Sequence, residues 1–464
     1  MEQIPVRFSG PGAGCAPLTW GHKQVLGDME ESGQTLNMSD VQALPPGTRV
    51  SEVAATLAGL MSRHPALRTR FPAAQDGSLR QEVTESGELF LQVADMPEHM
   101  DKTEFNARTR EIRYAQALTP FDHAQEWPIR VAVTRQRGLA TYWAWAVNHM
   151  VGDAMSMAMW QGELGYGIFA GRSPDPRAMS MLELARLEQT PRLLAVNDRA
   201  MRHWESQLLH VPPLTFGPAR YPGREGKRYW HGQFNSRAAY LATLAIAQRL
   251  RTDTSWVLMA LLAIAAGRAT GVSPLTTRYI VSNRYRPGYR RIMAPLSQSA
   301  AVTVDVAGLS IAEAIARARR ATTEGALNGY FDPASLAELM AKLDARRGYP
   351  AQITCHINDP RIHVRKATEA AVSGRQITAD EIHEALSETW FSWDGTVPGA
   401  HFTDQAFLTV TETPRTLLLQ LVFDMACFTP EQVEGLTSEI ERAAIEAAAD
   451  PGTPTRVVPG QAQY

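Results

Sequence analysis

Helix-like and strand-like segments alternate along this chain twice, once before and once after an interval rich in proline and glycine. That doubled alternation constrains the fold most, because a chain of this pattern buries its apolar faces by layering helices on sheets. In the first run, SEVAATLAGLMSRH (51–64) repeats its apolar residues at helical spacing, ELFLQVADM (88–96) alternates as a strand does, and TYWAWAV (141–147) is apolar and aromatic without a helical period. The last pattern predicts a buried strand. From Asp153 onward AMSMAMWQGELGYGIFAG reads as a helix with Asp153 as its N-cap. Between about 171 and 227 come GRSPDPR, the helical RAMRHWESQLLH and VPPLTFGPARYPGREG, the pattern of an inter-domain connection. The second run has helices at SRAAYLATLAIAQRLR and SWVLMALLAIAAGRATG and strands at TTRYIVSNR and ITCHIN. It closes with the pair AFLTVTETPRTLLLQLVFD, turning at Thr-Pro, and the helix TPEQVEGLTSEIERAAIEAAA. The expected fold class is therefore α/β, with one domain over 1–175 and the other over 176–464. A length of 464 residues suits two domains better than one.

The formal net charge of −2 excludes the broad basic field that recruits nucleic acid or an anionic membrane. The longest apolar run, VLMALLAIAAG (257–267), is about half a membrane span and predicts a buried helix. Cys15, Cys355 and Cys427 form no Cys-x-x-Cys pair, which argues against a disulfide framework and a structural zinc, and fits a soluble protein of a reducing cytoplasm. No histidine pair has metal-ligand spacing, so no metal is expected. Arg284, Arg286, Arg290 and Arg291 cluster locally; they read equally well as an entrance for a phosphate-bearing ligand and as a solvated basic loop.

NHMVGDAM (148–155) joins the strand at 141–147 to the following helix. His149 and Asp153 in this loop admit two readings: a satisfied loop histidine beside a helix cap, or a general base whose imidazole is oriented by a carboxylate. The second gains from its position, since a strand-loop-helix junction displays side chains at a sheet edge, where clefts form. A base also needs one fixed nitrogen to accept the proton.

Several segments in order, LTWGHKQV (18–25), SRHPALRTRF (62–71), LTPFDHAQEWPIRVAVTR (118–135) and NHMVGDA (148–154), resemble the condensation domains of nonribosomal peptide synthetases. VSNRYRPGY (281–289), MAPLSQSAAVTVDV (293–306), ITCHIND (353–359) and LLLQLVFDMACFTPEQVEGL (417–436) extend the resemblance over essentially the whole chain. With nothing left over for an adenylation or carrier domain, the resemblance implies a free-standing condensation enzyme. It implies two chloramphenicol-acetyltransferase-like lobes forming a V-shaped pseudo-dimer with a central substrate tunnel, for which a monomer suffices. The family pattern His-His-x-x-x-Asp-Gly is altered here: Asn148 replaces the first histidine and Ala154 the glycine. Asn148 keeps hydrogen-bonding capacity for a supporting role, while the Ala154 methyl narrows the nucleophile's approach or forbids a positive φ.

What the resemblance implies chemically is an acyltransferase with no bound cofactor. The acyl group arrives on the phosphopantetheine arm of an acyl or peptidyl carrier protein, or on coenzyme A, and passes to a small amine or alcohol in natural-product biosynthesis. His149 accepts or orients the nucleophile's proton; with no nucleophilic serine or cysteine beside it, transfer is direct. Asp153 holds the loop through an arginine, for which Arg284 in the Asn-Arg strand is the candidate. Backbone N–H groups near Gly152, Asp153 and Ala154 are the expected oxyanion donors. Trp393, in FSWDG, either lines the tunnel or packs in the core, and Gln298 is placed along the tunnel. Cys355 and His356 are adjacent on a strand and face opposite ways, so they make no nucleophile-base pair. His22, His64 and His123 are expected to be structural. A catalytically silent docking platform for another enzyme is the alternative of a different class.

Overall fold

The computed structural model describes residues 1–170, 179–209, 211–212, 214–221, 228–350, 352–361, 375–397, 404–413 and 415–459. The expected boundary at 175, GRSPDPR, the GREG stretch and the proline of the Thr-Pro turn lie outside them. The chain divides into two compact units, Met1–Ala195 with Ser282–Ser297, and Val196–Val281 with Gln298–Tyr464. This corrects the expected 1–175 and 176–464 division in two ways: the first unit runs to Ala195, and it takes back a segment from the second half of the chain.

The first unit is built on strands β1 (Glu2–Ser9), β2 (Gly14–Pro17), β3 (Met38–Ala43), β4 (Thr69–Arg70), β5 (Arg80–Val83), β6 (Ser86–Asp95), β7 (Ile129–Gln136) and β8 (Leu139–Val147). Five form a sheet in the order β1-β6-β7-β8-β3, with only β6 and β7 parallel, and β2-β5-β4 form a small second sheet. Its helices are α1 (Trp20–Ser32), α2 (Val50–Arg63), α3 (Lys102–Leu118), α4 (Ala154–Ala170) and α5 (Met181–Glu188).

The continuous apolar reading of β8 follows from helices on both sheet faces. On one face Ala132 and Ala144 pack with Phe105 and Ile112 of α3. On the other, Trp143 and Trp145 meet Trp160 of α4, with ring centroids 5.6 and 4.7 Å apart. Helix α5 explains why the unit extends past residue 175. Leu182 and Ala185 pack with Ala16 of β2 and Val83 of β5. The Trp20 N–H also donates to Glu188 Oε2 at 3.0 Å.

The second unit has a seven-stranded sheet in the order β11-β10-β12-β14-β15-β9-β13. These strands are β9 (Tyr229–Ser236), β10 (Leu275–Val281), β11 (Gln298–Val304), β12 (Cys355–Asn358), β13 (Trp390–Thr396), β14 (Ala406–Glu412) and β15 (Leu417–Asp424). Helices α6 (Pro191–Leu208, which spans the division), α7 (Arg237–Leu250), α8 (Thr254–Thr270), α9 (Ile311–Leu327) and α10 (Pro333–Arg347) come with them. One sheet face shares a continuous core with α7, α8, α9 and the C-terminal helix Pro430–Ala449. Helix α8 carries the long apolar run and is buried over nearly all of it. The other face packs Ala301 with Trp204 and Leu208 of α6 and Leu343 of α10. Strands β10 and β11 are antiparallel neighbours, and the chain between them is the Ser282–Ser297 segment of the first unit.

Candidate functional site

Strand β8 ends at Val147, and the chain turns at once into a single 3-10 turn, His149–Val151. Asn148 caps that turn, its Oδ1 accepting the Met150 N–H at 2.9 Å, and it is buried. The supporting role expected of Asn148 is therefore spent locally, on the backbone of the turn. The Gly152 N–H donates back to the His149 carbonyl at 3.3 Å. The Gly152 N–H, expected as an oxyanion donor, is thus engaged within the turn itself. Gly152 has an extended φ of 179°, open to any residue. Close approach requires the glycine, since a Cβ there would stand 2.7 Å from the Ser156 Cβ and 2.8 Å from the Met157 Cε.

His149 is half-buried at the start of the turn. Its Nδ1 is buried without a hydrogen-bond partner among the described residues, so the exposed part of the ring lies away from Nδ1. Asp153 does not orient this imidazole, contrary to the reading of a carboxylate-held base, because its oxygens are taken elsewhere. Oδ1 accepts from the Ser156 N–H at 2.9 Å, the Ser156 hydroxyl at 3.1 Å and Arg284 Nη2 at 2.6 Å. Oδ2 accepts from the Leu296 N–H and the Ser297 hydroxyl, each at 3.2 Å. Asp153 thus caps α4 and ties α4 to the Ser282–Ser297 segment.

Arg284 is 6% exposed and completes the knot, its Nη1 donating to the Ile292 carbonyl at 2.7 Å and its Nη2 to the Ser156 hydroxyl at 2.7 Å. It lies beyond the end of β10 and not on a strand, because Asn283 before it takes a left-handed φ of 58° and turns the chain out of the sheet. Asn283 holds that turn by donating from Nδ2 to the Leu296 carbonyl at 2.9 Å. Burial also removes Arg284 from the basic cluster; Arg290 and Arg291 remain exposed. Ser156, Leu296 and Ser297 were not legible as site residues, since their partners are far away in sequence.

Ala154 opens α4, is exposed, and has no positive φ, so its methyl imposes no backbone strain. His22 backs the turn from α1. It is fully buried, and its Nδ1 accepts from the Thr19 N–H at 3.0 Å in a reciprocal cap. Burial pushes its pKa down to about 3, opposed by the nearby Met150 carbonyl. His64 Nε2 lies 2.7 Å from Glu163 Oε2.

In the second unit, Gln298 is fully buried with both ends of its amide used on Phe331, donating to its carbonyl at 2.9 Å and accepting its N–H at 3.1 Å. This leaves no group of Gln298 to line a passage. Trp393, on the edge strand β13, packs edge-on against Trp230 and donates to Glu434 Oε1 at 3.1 Å. Its contacts are those of core packing. Cys355 faces the helix-covered core and His356 the other face, as expected of neighbours on a strand.

A model of the condensation domain matches residues 19–389. The chain belongs to the condensation domain family. Among curated proteins it is similar to the nonribosomal peptide synthetase kk1B of Curvularia clavata, 23% identical over 98% of this chain and 3% of that protein. It is also similar to the cyclosporin synthetase simA of Tolypocladium inflatum, 24% identical over 56% of this chain and 2% of that protein. The chain thus spans a small part of these relatives' length. Among solved structures, a chain from work on condensation domain-mediated release from the enacyloxin polyketide synthase has a TM-score of 0.72 at 16% identity, over 95% of this chain and 84% of that one. The X-domain from teicoplanin biosynthesis has a TM-score of 0.68 at 17% identity, over 97% and 99%.

The fold is thus the two-lobe, chloramphenicol-acetyltransferase-like one of condensation domains, with open sheets. Condensation domains serve nonribosomal peptide and polyketide synthesis, act on phosphopantetheine-tethered substrates and work with carrier proteins; the family is generally acyltransferase-like. Among the described residues no helix is long and apolar enough to cross a membrane, and no group of side chains is arranged to hold a metal.

Proposed function

We propose that this condensation domain transfers an acyl group from a carrier-bound phosphopantetheine thioester to an amine or alcohol, with His149 at the reacting centre. The observation that carries the reading is the division of labour around the turn. Asp153, Ser156 and Arg284 are consumed in fixing its backbone, while His149 keeps a half-exposed ring with no hydrogen bond to a described residue.

The buried, unpartnered Nδ1 bears on the role. Because Nδ1 is buried, the nitrogen a nucleophile can reach is Nε2; with the ring hydrogen on Nδ1, the Nε2 lone pair accepts the nucleophile's N–H or O–H and orients it for attack. That is enough for an amine, whose pKa near 8 leaves part of it neutral, and supplies less of what an alcohol needs. No covalent acyl-enzyme is required in this transfer. Whether the chain acts alone in the cytoplasm, or with coenzyme A in place of a carrier, is a finer part of the same proposal.

The test offers the protein a panel of acyl-loaded carrier proteins and acyl-coenzyme A thioesters, with amine and alcohol acceptors, and follows products by mass. His149→Ala is expected to lower turnover by about 10² to 10⁴ while carrier binding persists. Carrier binding with no histidine-dependent turnover on any donor would instead establish the docking-platform reading, which the capping role of Asn148 favours.

A further inference from the structure

A second set of reactive side chains stands in the other unit, on the sheet face opposite the helix-covered core. Ser299 comes from β11, His356 from β12 and Asp404 from just before β14. His356 Nδ1 lies 2.5 Å from Asp404 Oδ2, and its Nε2 lies 3.2 Å from the Ser299 hydroxyl. The carboxylate fixes the tautomer: an acceptor this close keeps the proton on Nδ1 and leaves the Nε2 lone pair for the serine O–H. Burial alone would raise the Asp404 carboxyl, but His356 and then Arg278 bring it below its ordinary value, so it is charged at neutral pH. Its Oδ1 has no hydrogen-bond partner among the described residues, which leaves His356 as the group that takes up its charge. Ser299 is only half-buried. Arg278 pairs in register with His356 across β10 and β12, is itself half-buried, and brings a positive charge to the same face.

We propose that Ser299, His356 and Asp404 form a second acyl-handling site, in which Ser299 is a nucleophile toward activated acyl esters and thioesters. A hydroxyl hydrogen-bonded to a base that a buried carboxylate orients is the arrangement nucleophilic acyl transfer needs, and the roles are defined by geometry, not by chain order. In the step, the Ser299 Oγ attacks the acyl carbonyl, its proton passes to His356 Nε2, and Asp404 stabilises the resulting imidazolium. Arg278 offsets the oxyanion charge. The carbon–sulfur or carbon–oxygen bond then breaks, the leaving thiolate or alkoxide takes the proton from His356, and the acyl group rests on Ser299 as an ester. Water then attacks the ester carbonyl as it gives a proton to the same imidazole; the acyl–Oγ bond breaks, the Ser299 oxygen takes that proton back from His356, and the acid is freed. The substrate class is a carboxylic thioester or ester, and the net reaction is hydrolytic release. This site does not rest on the role assigned to His149.

The experiment treats the whole protein with an alkyl fluorophosphonate and locates the adduct by peptide mass spectrometry. The expected result is stoichiometric phosphonylation of Ser299. Labelling is abolished in Ser299→Ala, slowed at least 100-fold in His356→Ala, slowed in Asp404→Asn, and unchanged in His149→Ala. Thermal melting of each variant separates loss of reactivity from loss of fold. Wild-type protein hydrolyses p-nitrophenyl acetate with a rate that rises with deprotonation of one group, and Ser299→Ala does not. An adduct elsewhere, no adduct on folded wild-type protein, or labelling that His356→Ala leaves intact in folded protein overturns the proposal and leaves the three side chains as a buried structural network. A failure of His149→Ala to affect carrier-dependent transfer would sink the other reading and leave this one standing.

Discussion

Truncating Arg284 to Ala leaves the Asp153 carboxylate buried with hydroxyl and amide donors but no countercharge. Breaking one side of a buried ion pair costs about 3–5 kcal/mol, so Arg284→Ala is expected to shift the urea midpoint strongly. Arg284→Lys should recover little, because one ammonium cannot reproduce donation from Nη1 to Ile292 and from Nη2 to both Asp153 and Ser156. His22 gives a pH signature of its own. Folding lowers its pKa from 6.5 to about 3. As the pH falls through about 6.5 the unfolded chain binds a proton that the folded chain refuses until about 3. Stability from this residue is therefore complete above 6.5 and is lost between the two values, by up to about 1.4 kcal/mol per pH unit. Unfolding free energies between pH 6 and 4 should fall less steeply in His22→Asn than in wild type; equal slopes would contradict the assignment. At this scale the sequence showed which residues bear charge and cap helices, as at Asp153. It could not show that Asp153 turns away from His149, because Arg284 and Ser297, which claim its oxygens, are brought to it only by the fold.

Helix α1 carries two glycines with opposite prospects. A Cβ on Gly21 would fall 1.6 Å from the Pro295 carbonyl oxygen, so α1 and the Ser282–Ser297 segment touch backbone to backbone there. Gly27 on the same helix is exposed and has nothing within 4 Å. Gly21→Ala should lower the melting temperature, with an overpacking cost of about 1–3 kcal/mol, while Gly27→Ala should raise it through about 0.5–1 kcal/mol of helix propensity. Both effects of the same sign would contradict the close approach. Elements with strong periodicity were legible: β8 and α8 because both sides of each are buried, the C-terminal helix because it is amphipathic and capped by Thr429. Strands β1 and β9 were not. β1 is an edge strand interrupted by Pro5, and β9 carries Gly232, Asn235 and Ser236, so neither has the composition that marks a strand by itself. The 3-10 turn at His149 is too short to have a period.

Across the molecule, the two α/β units were legible from the doubled alternation, but their division was not, since periodicity says nothing of a segment that leaves one unit to complete the other. Residues Ser282–Ser297 supply Arg284, Leu296 and Ser297 to the first unit. A fragment of residues 1–195 alone would bury Asp153 without these partners, and is expected to show no cooperative unfolding transition by circular dichroism; a sharp two-state transition would contradict the importance given to the segment. The same dispersal hid Ser299, His356 and Asp404, which β11, β12 and the segment leading into β14 bring together. That His149 carries the acyl transfer is open to a test that names no substrate. His149→Ala is introduced at the native locus, accumulation of the protein is checked, and metabolite masses are compared with wild type and with a deletion. Both mutants are expected to lose the same compound, and the mass difference between it and the precursor that accumulates is the transferred acyl group. If the deletion loses the compound and folded His149→Ala protein still makes it, the claim is wrong.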